Sequence, residues 1–99
     1  MAGTTDAGPD GRSLHPADIG AQARAALGII EAALVDAGFA LTDVVRTRMF
    51  VTDMSRSAEV SAVHGAVFGS IRPAATMVGV MALMDPSLLI EIEAEARKG

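Results

Sequence analysis

Cysteine is absent from the 99-residue chain, so neither a disulfide nor a thiolate metal site is open to it. Tryptophan and tyrosine are absent as well, and the three phenylalanines Phe39, Phe50 and Phe68 are its only aromatic residues. Nucleic acids are held by basic surfaces and aromatic stacking platforms. With a formal net charge of −4 and only Arg46, Arg48 and Arg72 to form a local basic patch, the chain is not expected to bind nucleic acid. Its opening stretch MAGTTDAGPDG has neither the basic region nor the apolar core of a signal peptide. The longest apolar run, Met77 to Met84, falls far short of the about 20 residues a membrane span needs. A cytoplasmic location and no membrane partner are the expectation.

Catalytic and cofactor signatures are equally sparse. The glycines are scattered, with no phosphate-binding loop and no dinucleotide fingerprint. No serine stands in a nucleophile elbow. The two histidines are far apart, and both read as solvated side chains, His15 in a loop and His64 on a helix surface. No set of three or four ligands at metal spacing is visible. No cofactor is expected.

What the chain has in quantity is apolar side chains, at 51% of residues. At this length it is one domain, residues 1–99. A domain so small buries only about 60–70% of the surface its unfolded chain exposes. The apolar excess therefore points to a partner, most simply a second copy.

The periodicities give a coarse order. Residues 1–15 read as a loop around the turn signal GPDG, with Met1 to Thr4 as the tail of a strand. A helix is predicted from Ala17 to Ala37, with Pro16 and Asp18 suited to its first turn and Gly38 to its end. Its apolar stripe is Ile19, Ala23, Ala26, Leu27, Ile30, Leu34 and Ala37, and Gln22 falls on another face. LTDVV reads as a turn that Thr42 or Asp43 can cap, and Arg46 to Thr52 as a strand. A second helix, Ser57 to Phe68, carries Val60, Val63, Val67 and Phe68 on one face, with Ser55 or Ser57 as its cap. Two strands close the chain, Ala74 to Leu83 and Leu88 to Ala96, around the turn MDPS. In the last strand Leu88, Ile90, Ile92, Ala94 and Ala96 alternate with Leu89, Glu91, Glu93 and Glu95. The result is an α+β layer arrangement, a mixed sheet with two helices on one face.

The acidic row is the main polar feature. Glu93 and Glu95 suit a solvated face or pairing with Arg46 and Arg48 on a neighbouring strand. Glu91, deepest in the strand, is the candidate for chemistry: a carboxylate half-buried at an interface can orient or deprotonate a water. Arg72 precedes Pro73 and is expected to be extended. It is a candidate grip for a ligand carboxylate, or else a surface ion-pair partner.

Two stretches, AQARAALGIIEAALVDAGFALTDVVRTRMFVTDM and RPAATMVGVMALMDPSLLIEIEAEA, together resemble the RidA/YjgF family, also labelled endoribonuclease L-PSP, over about residues 8–96. The resemblance implies a chorismate-mutase-like fold, a barrel-like homotrimer and small-molecule clefts between subunits. It implies hydrolysis of reactive enamines and imines to a carbonyl product and ammonia, without metal or organic cofactor. The family glutamate that positions water falls at Glu91. The arginine that grips the substrate carboxylate falls at Ala75, the frequent cysteine at Met77 and the helix asparagine at Ser61, which makes a more apolar cleft. Of the family's Ser-Gly motif only Gly3 matches, with Ala2 at the serine. The chain is thus expected to start inside the family's second strand, with the N-terminal hairpin either lost or encoded upstream. The candidate site is Glu91 as the catalytic group, with Gly3, Ser61, Arg72, Ala75 and Met77 around the ligand. Two other roles stay open: a non-catalytic metabolite-binding or regulatory trimer and, against the charge balance, a ribonuclease or translation inhibitor.

Overall fold

The computed structural model describes residues 3–98. Its elements are α1 (Ile19–Asp36), β1 (Val44–Val51), α2 (Ser57–Phe68), β2 (Ala74–Gly79) and β3 (Ile90–Ala96), with single 3-10 turns at Leu41–Asp43 and Met54–Arg56. The sheet order is β2-β1-β3, parallel between β1 and β2 and antiparallel between β1 and β3. The parallel pair requires a crossover, and α2 supplies it. Both helices lie on one face, as the periodicities imply. No helix among the described residues is long and apolar enough to cross a membrane.

Local chemistry sets the ends of α1. The Asp18 carboxylate accepts the Ala21 N–H at 3.0 Å, closing the first turn. At the other end Gly38 takes φ +89°, the Phe39 N–H reaches the Leu34 carbonyl at 2.8 Å and the Gly38 N–H reaches that of Val35 at 3.0 Å. Those two bonds satisfy carbonyls that the helix leaves open. The buried stripe of α1 is the predicted one except at Ala37, which is exposed, and at Gly20 and Gln22, which are buried. The polar Gln22 is tolerated because its amide is spent on the backbone: Nε2 donates to the carbonyls of Ser87 (2.9 Å) and His15 (3.1 Å), and Oε1 accepts the Leu89 N–H (2.8 Å).

The sheet sorts its side chains by the period of two, interrupted once. A bulge between Val44 and Arg46 resets the alternation of β1, so that Val44 and then Thr47, Met49 and Val51 all turn to the helices. Ile90, Ile92 and Ala94 stand beside them on β3. With Ile30, Val60 and Phe68 they form the core. Each of the larger apolar side chains, such as Ile90, Ile92 or Phe68, contributes about 1.5–3 kcal/mol when fully buried.

Several predicted boundaries move. The first strand begins two residues earlier, at Val44, and the strand expected to reach Leu83 stops at Gly79, because β1 has no residue beyond Val51 to pair with it. For the same reason β3 starts at Ile90, although Leu88 is still buried. Neither Ser55 nor Ser57 caps α2. Asp53 caps the preceding 3-10 turn through the Ser55 N–H, and Arg56 enters α2 without a side-chain bond. Arg72 is not extended: its φ is +57°, and its N–H bonds the Phe68 carbonyl at 2.9 Å. Closing the end of α2 with a left-handed residue outweighs the local preference set by Pro73. Thr4 exchanges both backbone bonds with Ile92 of β3, at 2.8 and 2.9 Å, as the predicted strand tail requires; Met1 and Ala2 lie outside the described residues.

Candidate functional site

Strand β2 runs along the sheet edge with α2 above it. Ala75 and Met77 point to the helix side, next to Thr47 and Met49 of β1. From α2, Ser61, His64 and Gly65 look down on them. Together with Met49 these five residues line an open cavity of about 270 Å³. Three positions singled out in the sequence, Ser61, Ala75 and Met77, thus meet in one place.

His64 is the residue the sequence reading misplaced. It is not a solvated surface histidine but half-buried, its ring tilted against that of Phe68 at 4.8 Å. Nε2 lies 2.8 Å from Oγ1 of Thr47, a fully buried side chain on β1. Burial pushes the His64 pKa below its ordinary 6.5, so the ring is neutral at neutral pH. The signal was available: His64 follows Val60 by four residues and precedes Phe68 by four, which puts it on the buried face of α2.

The opposite face of the sheet is charged. Arg46, Arg48 and Phe50 of β1 project there beside Glu95, Glu93 and Glu91 of β3. Arg48 Nε meets Glu93 Oε1 at 2.9 Å, as the sequence reading anticipated, and a polar hollow is lined by Arg46, Arg48, Glu93, Ala94 and Glu95. Glu91 sits further along, half-buried and away from that pair. Its carboxylate packs on Gly3, where a Cβ would overlap Glu91 Oε2. A side chain here would push the Glu91 carboxylate out of this position.

The six candidate positions therefore fall into three places. Gly3 and Glu91 meet on the helix-free face, and Ser61, Ala75 and Met77 on the helix face. Arg72 is exposed at the end of α2 and lines neither cavity. Within one chain the sheet itself separates Glu91 from Ala75.

A second polar cluster was not foreseen. Asp6, in the N-terminal loop, is fully buried; its Oδ2 accepts the Ser13 hydroxyl (2.7 Å) and the His15 N–H (3.1 Å), and lies 3.0 Å from His15 Nδ1. The Ser13 N–H in turn reaches the Ser87 hydroxyl at 2.8 Å. His15 is thus tied to a buried carboxylate rather than free in solvent. Through Ser87 and Gln22 the cluster fastens the N-terminal loop to the segment entering β3.

Known proteins share this fold. The endoribonuclease L-PSP family matches residues 1–98. A crystal structure of a Mycobacterium tuberculosis member of the YjgF/YER057c/UK114 family superimposes with a TM-score of 0.86 at 54% identity, covering 97% of this chain and 75% of that one. A RutC family protein of Pyrococcus horikoshii is 36% identical over 98 residues, 99% of this chain and 77% of its own length. The 2-iminobutanoate/2-iminopropanoate deaminase of Escherichia coli is 39% identical over 84 residues, 82% of this chain and 65% of the deaminase. With the helix-and-sheet layout and the family match agreeing over the described residues, the chain belongs to the YjgF/Rid family, the endoribonuclease L-PSP family.

Proposed function

We propose that this protein is a cytoplasmic, cofactor-independent hydrolase of small enamines or imines, acting at clefts between the subunits of a homotrimer. The observation that carries the reading is the placement of Glu91, half-buried and pressed against Gly3 on a face with no helix over it. The imine deaminase of Escherichia coli, 39% identical over 84 residues, supports it. Water adds to the carbon of the protonated C=N bond as Glu91 takes one of the water's protons, forming a carbinolamine. Glu91 then returns that proton to the nitrogen, the C–N bond breaks as ammonia leaves, and the carbinol O–H gives its proton to the freed Glu91 carboxylate, so that a carbonyl product remains.

Glu91 and the Ala75–Met77 cavity face away from each other across the sheet, so a complete cleft calls for two copies, one giving each face. β2 favours the same assembly: it is an edge strand whose residues, apart from Met77, are all exposed, and such an edge invites a partner chain. Ammonia release from freshly generated imines tests the reading. Glu91→Ala is expected to lower turnover by about 10²- to 10⁴-fold with the oligomer intact. Equal rates would remove Glu91 from the chemistry.

A second reading, a metabolite-binding or regulatory trimer without turnover, is favoured by one observation. The cavity carries alanine where the resemblance puts the substrate-gripping arginine, and Arg72 does not reach it. Under that reading the natural protein binds without releasing ammonia and Ala75→Arg gains turnover. A ribonuclease is not supported: Arg48 is tied to Glu93, and the net charge is −4.

A further inference from the structure

The cavity under α2 has an unusual electrostatic character for a site expected to hold an amino-acid-derived imine. None of its lining residues is a lysine or arginine, so all eight of the chain lie elsewhere. Arg46 and Arg48 stand on the other face of the sheet. Arg56 is spent on Glu59 and the Ala17 carbonyl, and Arg72 is exposed beyond the helix end. No acid lines the cavity either. Its polar groups are the Ser61 hydroxyl and the His64 imidazole, set among two methionines, an alanine and a glycine.

We infer that this cavity selects an uncharged ligand group, a neutral carbonyl or imine with a small apolar side chain, and that His64, fixed by Thr47, sets the selection. The inference rests on reading the cavity as one half of the ligand cleft. Three features support it. At about 270 Å³ the space lies near the lower end of ligand pockets, about 300 Å³, and suits a molecule of a few heavy atoms. Thioethers of Met49 and Met77 are soft and adapt to a small aliphatic group. Most directly, the 2.8 Å contact between Nε2 and the buried Thr47 hydroxyl holds the imidazole in place, and desolvation keeps it neutral. In the tautomer that accepts the Thr47 hydroxyl proton at Nε2, the neutral ring has Nδ1–H left to donate one hydrogen bond to a carbonyl or imine, and it carries no counter-charge. A carboxylate entering here would lose its hydration without meeting a cation.

Two unreactive probes of one shape test this, 3-methylbutan-2-one and 3-methyl-2-oxobutanoate, which differ only by the carboxylate replacing a methyl group. Neither has a C=N bond, so the outcome is independent of whether the protein turns over imines. Calorimetric titration of the natural oligomer at pH 7.5 is expected to show the ketone bound at least about tenfold more tightly. His64→Gln, which stays neutral, is expected to keep that order. His64→Lys is expected to reverse it in favour of the oxo acid. Where His64→Lys melts early, Ala75→Lys puts the same charge into the cavity from an exposed strand position and is expected to give the same reversal. Equal or tighter binding of the oxo acid by the natural protein would overturn the inference, since a cation from another copy would then reach the ligand. So would failure of both probes to bind at millimolar concentration, or an unchanged ratio in a folded lysine variant.

Discussion

The two faces of the sheet are built from alternate residues of the same strands, yet they are different materials. On the helix side Thr47, Met49, Val51, Ile90, Ile92 and Ala94 are closed off from water, and the cavity between α2 and β2 is lined without lysine, arginine or acid. On the other side Arg46, Arg48, Glu93 and Glu95 meet solvent, with Arg48 paired to Glu93 and Glu95 to Arg97. The comparison teaches that stability and polar chemistry are separated by one residue step along β1 and β3. It also shows how one strand divides two duties: Ile92 anchors the core while its neighbour Glu91 faces outward.

The sharpest way to break this contrast is to truncate neighbours on β3. Ile92→Ala removes a fully buried side chain, and its cost is expected to be about 2–5 kcal/mol in urea unfolding. Glu93→Ala, one residue away, is expected to stay within about 1 kcal/mol, because its pair with Arg48 is partly solvated. Similar costs for the two would mean that the faces are not distinct. Gln22→Leu comes next. It strands the Leu89 N–H and two carbonyls in a buried place, so a loss of about 1–3 kcal/mol is expected. A neutral result would show that the buried amide is dispensable.

The smaller effects sharpen the contrast through pH and salt. His64 has its folded pKa below the unfolded 6.5. The folded state therefore favours the neutral ring. The stability linked to His64 is present above pH 6.5 and is lost as pH falls through the folded value, below which the loss levels off. Thermal melts from pH 7.5 to 5 are expected to show this decline and His64→Gln to reduce it; identical slopes would place the titration elsewhere. Smallest is Arg48→Ala, with an expected change of about 1 kcal/mol or less that shrinks further at high salt. Salt-independent destabilisation would mean that the arginine acts through packing of its stem.

Much of this was legible in the sequence, and the parts that were not have physical reasons. Strict alternation in IEIEAEA assigned both faces of β3, and the Asp18 and Gly38 signals bracketed α1, because those are local rules. The pairing of Arg48 with Glu93 was readable once the two strands were taken as neighbours. Strand ends were not readable, since β2 stops where β1 stops pairing, a tertiary fact. Gln22 and Asp6 look like surface residues because their partners are backbone groups and side chains that the fold brings from residues 13–15 and 87–89. Arg72 took a left-handed conformation to close α2, against the extended backbone that Pro73 alone favours. Of the candidate site, the residue types were legible and their separation by the sheet was not, because the bulge at Val45 and the register with β2 decide which side Ala75 and Met77 face.

The central claim is that a working cleft needs the Glu91 face of one copy and the Ala75 face of another. Complementation measures this most directly. Glu91→Ala disables one face, and Ala75→Trp fills the cavity behind the other. The two variants would be unfolded and refolded together, mixed oligomers verified by native mass spectrometry, and ammonia release from a panel of imines compared with each variant alone and with the natural protein. The account predicts two inactive parents and a mixture that regains a substantial part of the natural rate. A mixture as silent as its parents, beside an active natural protein, would place both halves of the site in a single chain and contradict the account; silence from the natural protein itself would contradict the hydrolase reading.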